Sequence, residues 1–176
     1  MLTWTLEQSW PAYPLLLGSH AKSAGGPSER GQAVGEARQV MDAITEAVFQ
    51  KDLQAAANLY APDAVMVTPD QGEVRGREQI IEYLKQFNDA FPDNSYESAY
   101  AHESGDTAVD EGYLVGTNSE PLALPTGETI PATGRRVRVR ACDIATVQNG
   151  VITSHRFYFD QMDFLGQLGL LPETPT

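Results

Sequence analysis

Cysteine is almost missing. Cys142 stands alone among 176 residues, so no intrachain disulfide can form and no metal cluster can rest on thiolates. Within its apolar strand it reads as a small buried or interface residue. Basic residues are scarce too: 12 Lys and Arg face 24 Asp and Glu, for a formal net charge of −12. That balance argues against nucleic acid and anionic membranes as partners, because both associations are driven by clustered cations neutralising phosphates. No apolar run approaches the length of a bilayer span. Leu15–Leu17 is too short for a secretory signal and follows no positive stretch, so a cytoplasmic location is expected. Internal repeats and heptads are absent as well.

What is present suffices for one core of ordinary size, at 41% apolar residues. Residues 1–36 read as a flexible extension. Their centre, Gly25-Gly26-Pro27-Ser28, cannot bury enough apolar area to offset the entropy of ordering it. Trp4, Leu6, Trp10, Tyr13 and Leu15 are the residues there that would dock on the domain or on a partner. Residues 37–172 read as one domain and 173–176 as a tail. Val40, Ile44, Ala47 and Val48 recur at helical spacing. Asp52 stands where a second, short helix needs an N-cap. Ile80, Leu84, Phe87 and Phe91 stripe a third helix that Pro92 ends. Strand patterns follow at 95–103, 107–117, 135–147 and 151–160, separated by turn residues and by a loop at 120–134. A short helix at 161–168 closes the series, with Asp160 as its N-cap. Helices first and hairpin-linked strands afterwards specify α+β: a curved antiparallel sheet around a small-molecule pocket.

The final hairpin carries most of the chemistry. Val137, Val139, Ala141, Asp143, Ala145 and Val147 share one strand face, which makes Asp143 a lone carboxylate in an apolar row. Arg136, Arg138 and Arg140 take the opposite face, as a solvated surface or a subunit contact. A carboxyl among apolar groups either finds a hydrogen-bond partner or has its pKa raised, and the second is what general acid/base work needs. Its partner depends on the turn. A two-residue Asn149-Gly150 loop sets Asp143 opposite Arg156. A three-residue loop from Gln148 sets it opposite His155, with Ala141 facing Phe157 and Val139 facing Phe159. The three-residue register is preferred because it gathers the apolar side chains on one face. An Asp143–His155 pair either acts on a ligand or simply fixes the register. Glu111 and Tyr113 share a face with Val109 and Val115 and point to the pocket or to solvent. His102 and His20 read as exposed.

Several segments resemble the SnoaL-like polyketide cyclases and ester cyclases of the nuclear-transport-factor-two-like superfamily. They are Leu59-Tyr60-Ala61-Pro62-Asp63-Ala64-Val65, Arg75-Gly76-Arg77-Glu78, Ala90-Phe91-Pro92-Asp93, Gly116-Thr117, Ala132-Thr133-Gly134-Arg135, Asn149-Gly150-Val151-Ile152, Tyr158-Phe159-Asp160 and Gln167-Leu168-Gly169-Leu170. They keep the family's order over nearly all of residues 38–172. The resemblance implies a conical α+β barrel wrapped around three N-terminal helices. It also implies one pocket, no metal, no organic cofactor, and a homodimer packed through the outer sheet face. The sequence departs from the family at the chemistry. Phe157 occupies the position of the cyclases' catalytic aspartate, Asp143 that of a pocket histidine, Met66 that of an asparagine and Asn118 that of a histidine.

Three functions follow as expectations. The first is a cofactor-independent cyclase or isomerase moving a proton on a small apolar, polyketide-like carbonyl compound. Asp143 is then the acid/base and His155 its partner, with Tyr60, Met66, Phe87, Phe91, Tyr113, Val139, Ala141, Phe157 and Phe159 as the wall. The second is a non-catalytic binder of a hydrophobic metabolite. The third is an epoxide or ester hydrolase, which requires Arg156 and Glu111 to join Asp143 around one water.

Overall fold

Residues 35–124 and 127–171 are described by a computed structural model of the chain. The expected extension, apart from Gly35 and Glu36, lies outside them, and so do His20 and the tail at 173–176. Helix α1 (Glu36–Phe49) buries Val40, Met41, Ile44 and Ala47 along one face, as its spacing dictates. Withdrawing a side chain such as Ile44 from water contributes roughly 1.5–3 kcal/mol. Asp52 caps α2 (Leu53–Asn58), accepting the Ala55 N–H at 2.9 Å. Then come β1 (Tyr60–Thr68), β2 (Gly72–Arg75), α3 (Arg77–Ala90), β3 (Ser95–Ser104) and β4 (Thr107–Thr117). Two short strands, β5 (Leu122–Ala123) and β6 (Thr129–Ile130), form a small separate hairpin inside the expected loop. The series ends with β7 (Arg136–Gln148), β8 (Val151–Phe159) and α4 (Gln161–Leu168). Asp160 caps α4 by accepting the Asp163 N–H at 2.9 Å.

Six strands form one curved, unclosed sheet in the order β2-β1-β8-β7-β4-β3. Only β1 and β8 run parallel. Val137, Val139, Ala141, Ala145 and Val147 are buried on the inner face, while Arg136, Arg138 and Arg140 are exposed on the outer one. On β4 the inner row is Ala108, Asp110, Gly112, Leu114 and Gly116, each paired with an inward residue of β7.

The β7–β8 register differs from the expected one. The turn is the two-residue Asn149-Gly150, with positive φ at both (54° and 77°), the geometry of a type I′ hairpin. Val147 therefore pairs with Ile152, but Thr146 pairs with Ser154, so Thr153 is an extra residue in β8. Beyond this bulge Ala145 faces His155, Asp143 faces Phe157 and Ala141 faces Phe159. The expected opposition of Asp143 to His155 is corrected to a diagonal one, two residues along the strand. The shared face survives, because the bulge restores the parity that the short turn removes.

Two side chains position the site's outer parts. Beyond the end of β8, the Gln167 amide takes the place of a strand. It accepts the Arg138 N–H at 2.8 Å and donates to the Arg138 carbonyl at 3.1 Å, docking α4 on β7. Asn118 is wholly buried and ties the loop holding β5 and β6 to the sheet. Its Oδ1 accepts the N–H and hydroxyl of Thr133 at 2.9 and 3.0 Å, and its amide donates to the Glu120 carbonyl at 2.8 Å.

Candidate active site

A cavity of about 120 Å³ opens between the inner sheet face, α1, α3 and α4. Its wall is predominantly apolar. Ile44 and Val48 come from α1, Leu84 and Phe87 from α3, Leu114, Phe157 and Phe159 from the sheet, and Phe164 and Leu165 from α4. The β5–β6 hairpin adds Leu122, Ala123, Leu124 and Ile130. Aromatic rings interlock around one side, with Phe87 stacked on Phe91 at 4.7 Å and Phe159 edge-on to Phe164 at 5.7 Å.

Asp143 and His155 break that wall. Their side chains are 17% and 5% exposed, and Asp143 Oδ1 lies 2.5 Å from His155 Nε2. The other ring nitrogen, Nδ1, lies 2.5 Å from the hydroxyl of Tyr60, which has no exposed surface. The network fixes the tautomer. Burial, and then the Asp143 charge, push the Tyr60 hydroxyl well above its ordinary pKa. Tyr60 therefore stays protonated, and because its buried hydroxyl has no other acceptor among the described residues it donates to Nδ1, which leaves the imidazole proton on Nε2 to donate to Asp143. A neutral histidine satisfies both partners. Asp143 Oδ2 makes no hydrogen bond within the described residues, and the residue forms part of the cavity wall. The carboxylate is thus oriented at one oxygen and free at the other.

Directly opposite Asp143 on β4 is Asp110. Its two oxygens accept from Arg38 Nη1 and Nη2 of α1 at 2.5 and 2.8 Å, and Arg38 also reaches Asp42 at 2.9 Å. Burial alone disfavours the Arg38 charge, yet its bonds to Asp110 and Asp42 leave its pKa raised. Neither Arg38 nor Asp110 lines the cavity.

Of the expected site residues, Asp143, His155, Met66, Phe87, Phe157 and Phe159 meet in the cavity wall. Tyr60, Phe91, Val139 and Ala141 are fully or almost fully buried and support the wall without lining it. Tyr113 is corrected: it lies on the outer sheet face, paired with Arg140, with the Arg138 guanidinium 3.4 Å from its ring centroid. The β4 residues that point inward are the even-numbered ones, so Glu111 faces outward as well. Arg156 is exposed, so the Asp143, Arg156 and Glu111 arrangement required of a hydrolase does not form. Sequence reasoning missed Asp70, Gln71, Tyr83 and Tyr96 in the wall. The Tyr83 hydroxyl donates to Asp70 Oδ1 at 3.2 Å, and burial raises its pKa. Its position one residue before Leu84 was the available signal, since it flanks the apolar stripe of α3. Among the described residues no three His, Cys, Asp or Glu side chains converge as a metal site requires.

Comparison with known proteins bears first on the fold. A structure from Jannaschia sp. CCS1, named a "putative SnoaL-like polyketide cyclase", superposes with a TM-score of 0.70 at 17% identity, covering 81% of this chain and 100% of that one. IdmH of Streptomyces antibioticus, a "putative polyketide cyclase", gives 0.65 at 26% identity over 77% of this chain and 99% of its own. AclR of Streptomyces galilaeus, a "putative hydroxylase", gives 0.64 at 22% identity over 80% and 89%. No curated protein sequence matches the chain. The model of the SnoaL-like domain matches residues 37–155, which include every residue of the Tyr60–His155–Asp143 chain of hydrogen bonds. The protein belongs to the SnoaL-like domain family.

Proposed function

We propose that the cavity is the active site of a cofactor-independent cyclase or isomerase that acts on a small, enolisable carbonyl compound. The observation that carries this reading is the Asp143 carboxylate. His155 holds Oδ1 at 2.5 Å, and Oδ2 is unbonded in an apolar cavity wall. Asp143 Oδ2 takes the proton from a carbon next to a carbonyl. The C–H bond breaks and its electron pair passes into an enolate. In a cyclisation the enolate carbon then forms a bond to a second carbonyl carbon, and Asp143 returns its proton to the resulting alkoxide. In an isomerisation the same proton returns to a different carbon. His155 keeps the carboxylate in place throughout, and Tyr60 keeps His155 in its Nε2–H tautomer. Thr45, Gln71 and Gln161 also line the cavity, and their side chains make no hydrogen bond within the described residues, so they are available to the enolate oxygen.

The test needs no knowledge of the natural substrate. Aromatic β-keto esters are incubated in D₂O, and exchange at the activated carbon is followed by proton NMR. Wild type should accelerate exchange, and Asp143→Asn should lose that acceleration by about 10²–10⁴-fold, the usual worth of a positioned base. Exchange at the wild-type rate in Asp143→Asn would sink the assignment. A second reading, a non-catalytic binder of a hydrophobic metabolite, draws on Phe157, which fills the position of the cyclases' aspartate beside Asp143. Its signature is a ligand that co-purifies and is returned chemically unaltered.

A further inference from the structure

The charge of the cavity wall is one-sided. Its charged side chains, His155 aside, are Asp70 and Asp143, and no Lys or Arg of the described residues lines it. The cations that stand near are committed elsewhere. Arg38 is tied to Asp110, Arg77 Nε donates to the Tyr60 carbonyl at 2.9 Å, and Lys85 pairs with Asp89 at 2.5 Å. Lys51 donates to the Pro92 carbonyl, and Arg156 is exposed. Each cavity carboxylate has one oxygen bound by a neutral donor, His155 Nε2 for Asp143 and the Tyr83 hydroxyl for Asp70. The other oxygen of each makes no hydrogen bond within the described residues. Between them the wall is aromatic, with Phe49, Tyr83, Phe87, Tyr96 and Phe157 presenting ring surfaces whose negative faces attract cations.

We infer that this cavity takes a ligand bearing a protonated amine on an apolar or aromatic body, and that it rejects carboxylates and phosphates. A carboxylate entering here exchanges water for two uncompensated carboxylates and electron-rich rings, with no cation to meet it. An ammonium meets Asp70 as a charge-assisted partner while its apolar body fills the wall, leaving Asp143 Oδ2 beside the remainder of the ligand. Asp70 lies four residues beyond Met66, the β1 partner of His155. Asp70 itself sits in the turn after β1, and both acids line the one cavity. One molecule of moderate length therefore spans both acids. The inference rests on the reading of this cavity as the binding site, and not on Asp143 acting as a base.

The test uses three probes of matched shape, 2-naphthylmethylamine, 2-naphthylmethanol and 2-naphthoate, titrated into the full chain by calorimetry at low and moderate salt. The amine should bind at least about tenfold more tightly than the alcohol, and the carboxylate at least about tenfold more weakly, which are modest demands for charges at this range. Asp70→Asn should remove most of the amine's advantage over the alcohol. Carboxylate binding equal to that of the alcohol overturns the inference. So does an amine advantage unchanged by Asp70→Asn, or binding of none of the three at millimolar concentration. Because binding is read on wild-type protein without turnover, failure of the deuterium-exchange assay leaves this result standing, and the reverse also holds.

Discussion

Asp110 and Asp143 are cross-strand neighbours on one sheet face, yet they are in opposite situations. Asp110 has both oxygens taken by one guanidinium and is 8% exposed at its side chain. Nothing on it is left to react. Asp143 has one oxygen held by a neutral ring and the other open to a cavity. The difference comes from what packs above each strand. Helix α1 lays Arg38 over Asp110, whereas Asp143 takes its partner from β8 and borders the cavity. Two identical residues, one pair-spacing apart, thus divide into one that joins elements together and one free for chemistry.

Stability should separate them first. Arg38→Met leaves Asp110 buried and unpaired and should cost about 3–5 kcal/mol in chemical denaturation, with Asp110→Asn in the same background recovering a large part. Asp143→Asn should cost less than about 1 kcal/mol, because an asparagine oxygen still accepts from His155. Equal losses at the two sites would erase the distinction. A smaller effect sharpens the Asp143 side. Tyr60→Phe leaves His155 Nδ1 buried without its donor and should cost about 1–3 kcal/mol. Nitrogen-15 NMR should then show His155 drifting from its Nε2–H tautomer, and an unchanged tautomer would mean that Tyr60 does not set it.

The smallest effect concerns a third carboxylate, on the surface. The Thr117 N–H and hydroxyl, at 2.6 and 2.8 Å, hold the Asp93 carboxyl below its ordinary 3.8. A depressed carboxylate contributes stability above its unfolded pKa and loses it as pH falls through the folded one. Asp93→Asn should therefore be modestly less stable than wild type at pH 6, and the gap should narrow as pH falls below 3.8 and through the lowered folded-state pKa. A gap that persists in acid would assign the effect to packing.

Much of this arrangement was legible in the sequence. The α1 spacing, the Asp52 and Asp160 caps, the α3 stripe and the alternation in β7 each rest on neighbours within a few residues. Local chemistry fixes such features. The inward turn of Asp143 and His155 was legible for the same reason, since the apolar row around them admits one face only. Their relative register was not. A three-residue loop and a two-residue loop followed by a bulge put the same side chains inward, and differ only by a slide of two residues. Apolar pattern is blind to that slide. The Arg38–Asp110 pair was hidden because its partners are 72 positions apart and each looks like an ordinary surface residue in its own segment. On β4, Val109 and Val115 suggested the wrong inner face for Tyr113. The inner row there is mostly small, and position 112 is glycine because a Cβ there would collide with the Glu97 carbonyl. Short strands such as β5 and β6 carry no period at all, so the part of the wall they supply could not be read.

The bulge at Thr153 carries a consequence for the cavity's chemistry. Every position of β8 beyond it owes its inward or outward sense to that single insertion. Were the bulge absent and Thr153 drawn into the ladder opposite Thr146, the two-residue turn would run on unbroken, bringing Arg156 opposite Asp143 and moving His155 to the outer surface. The same side chains therefore encode two distinct cavities, and the bulge selects one of them. One offers a carboxylate held by a neutral imidazole, and the other a carboxylate locked by a guanidinium. Losing the bulge would also turn Phe157 and Phe159 outward, so this one irregularity holds the aromatic wall as well as the acid–base pair in place.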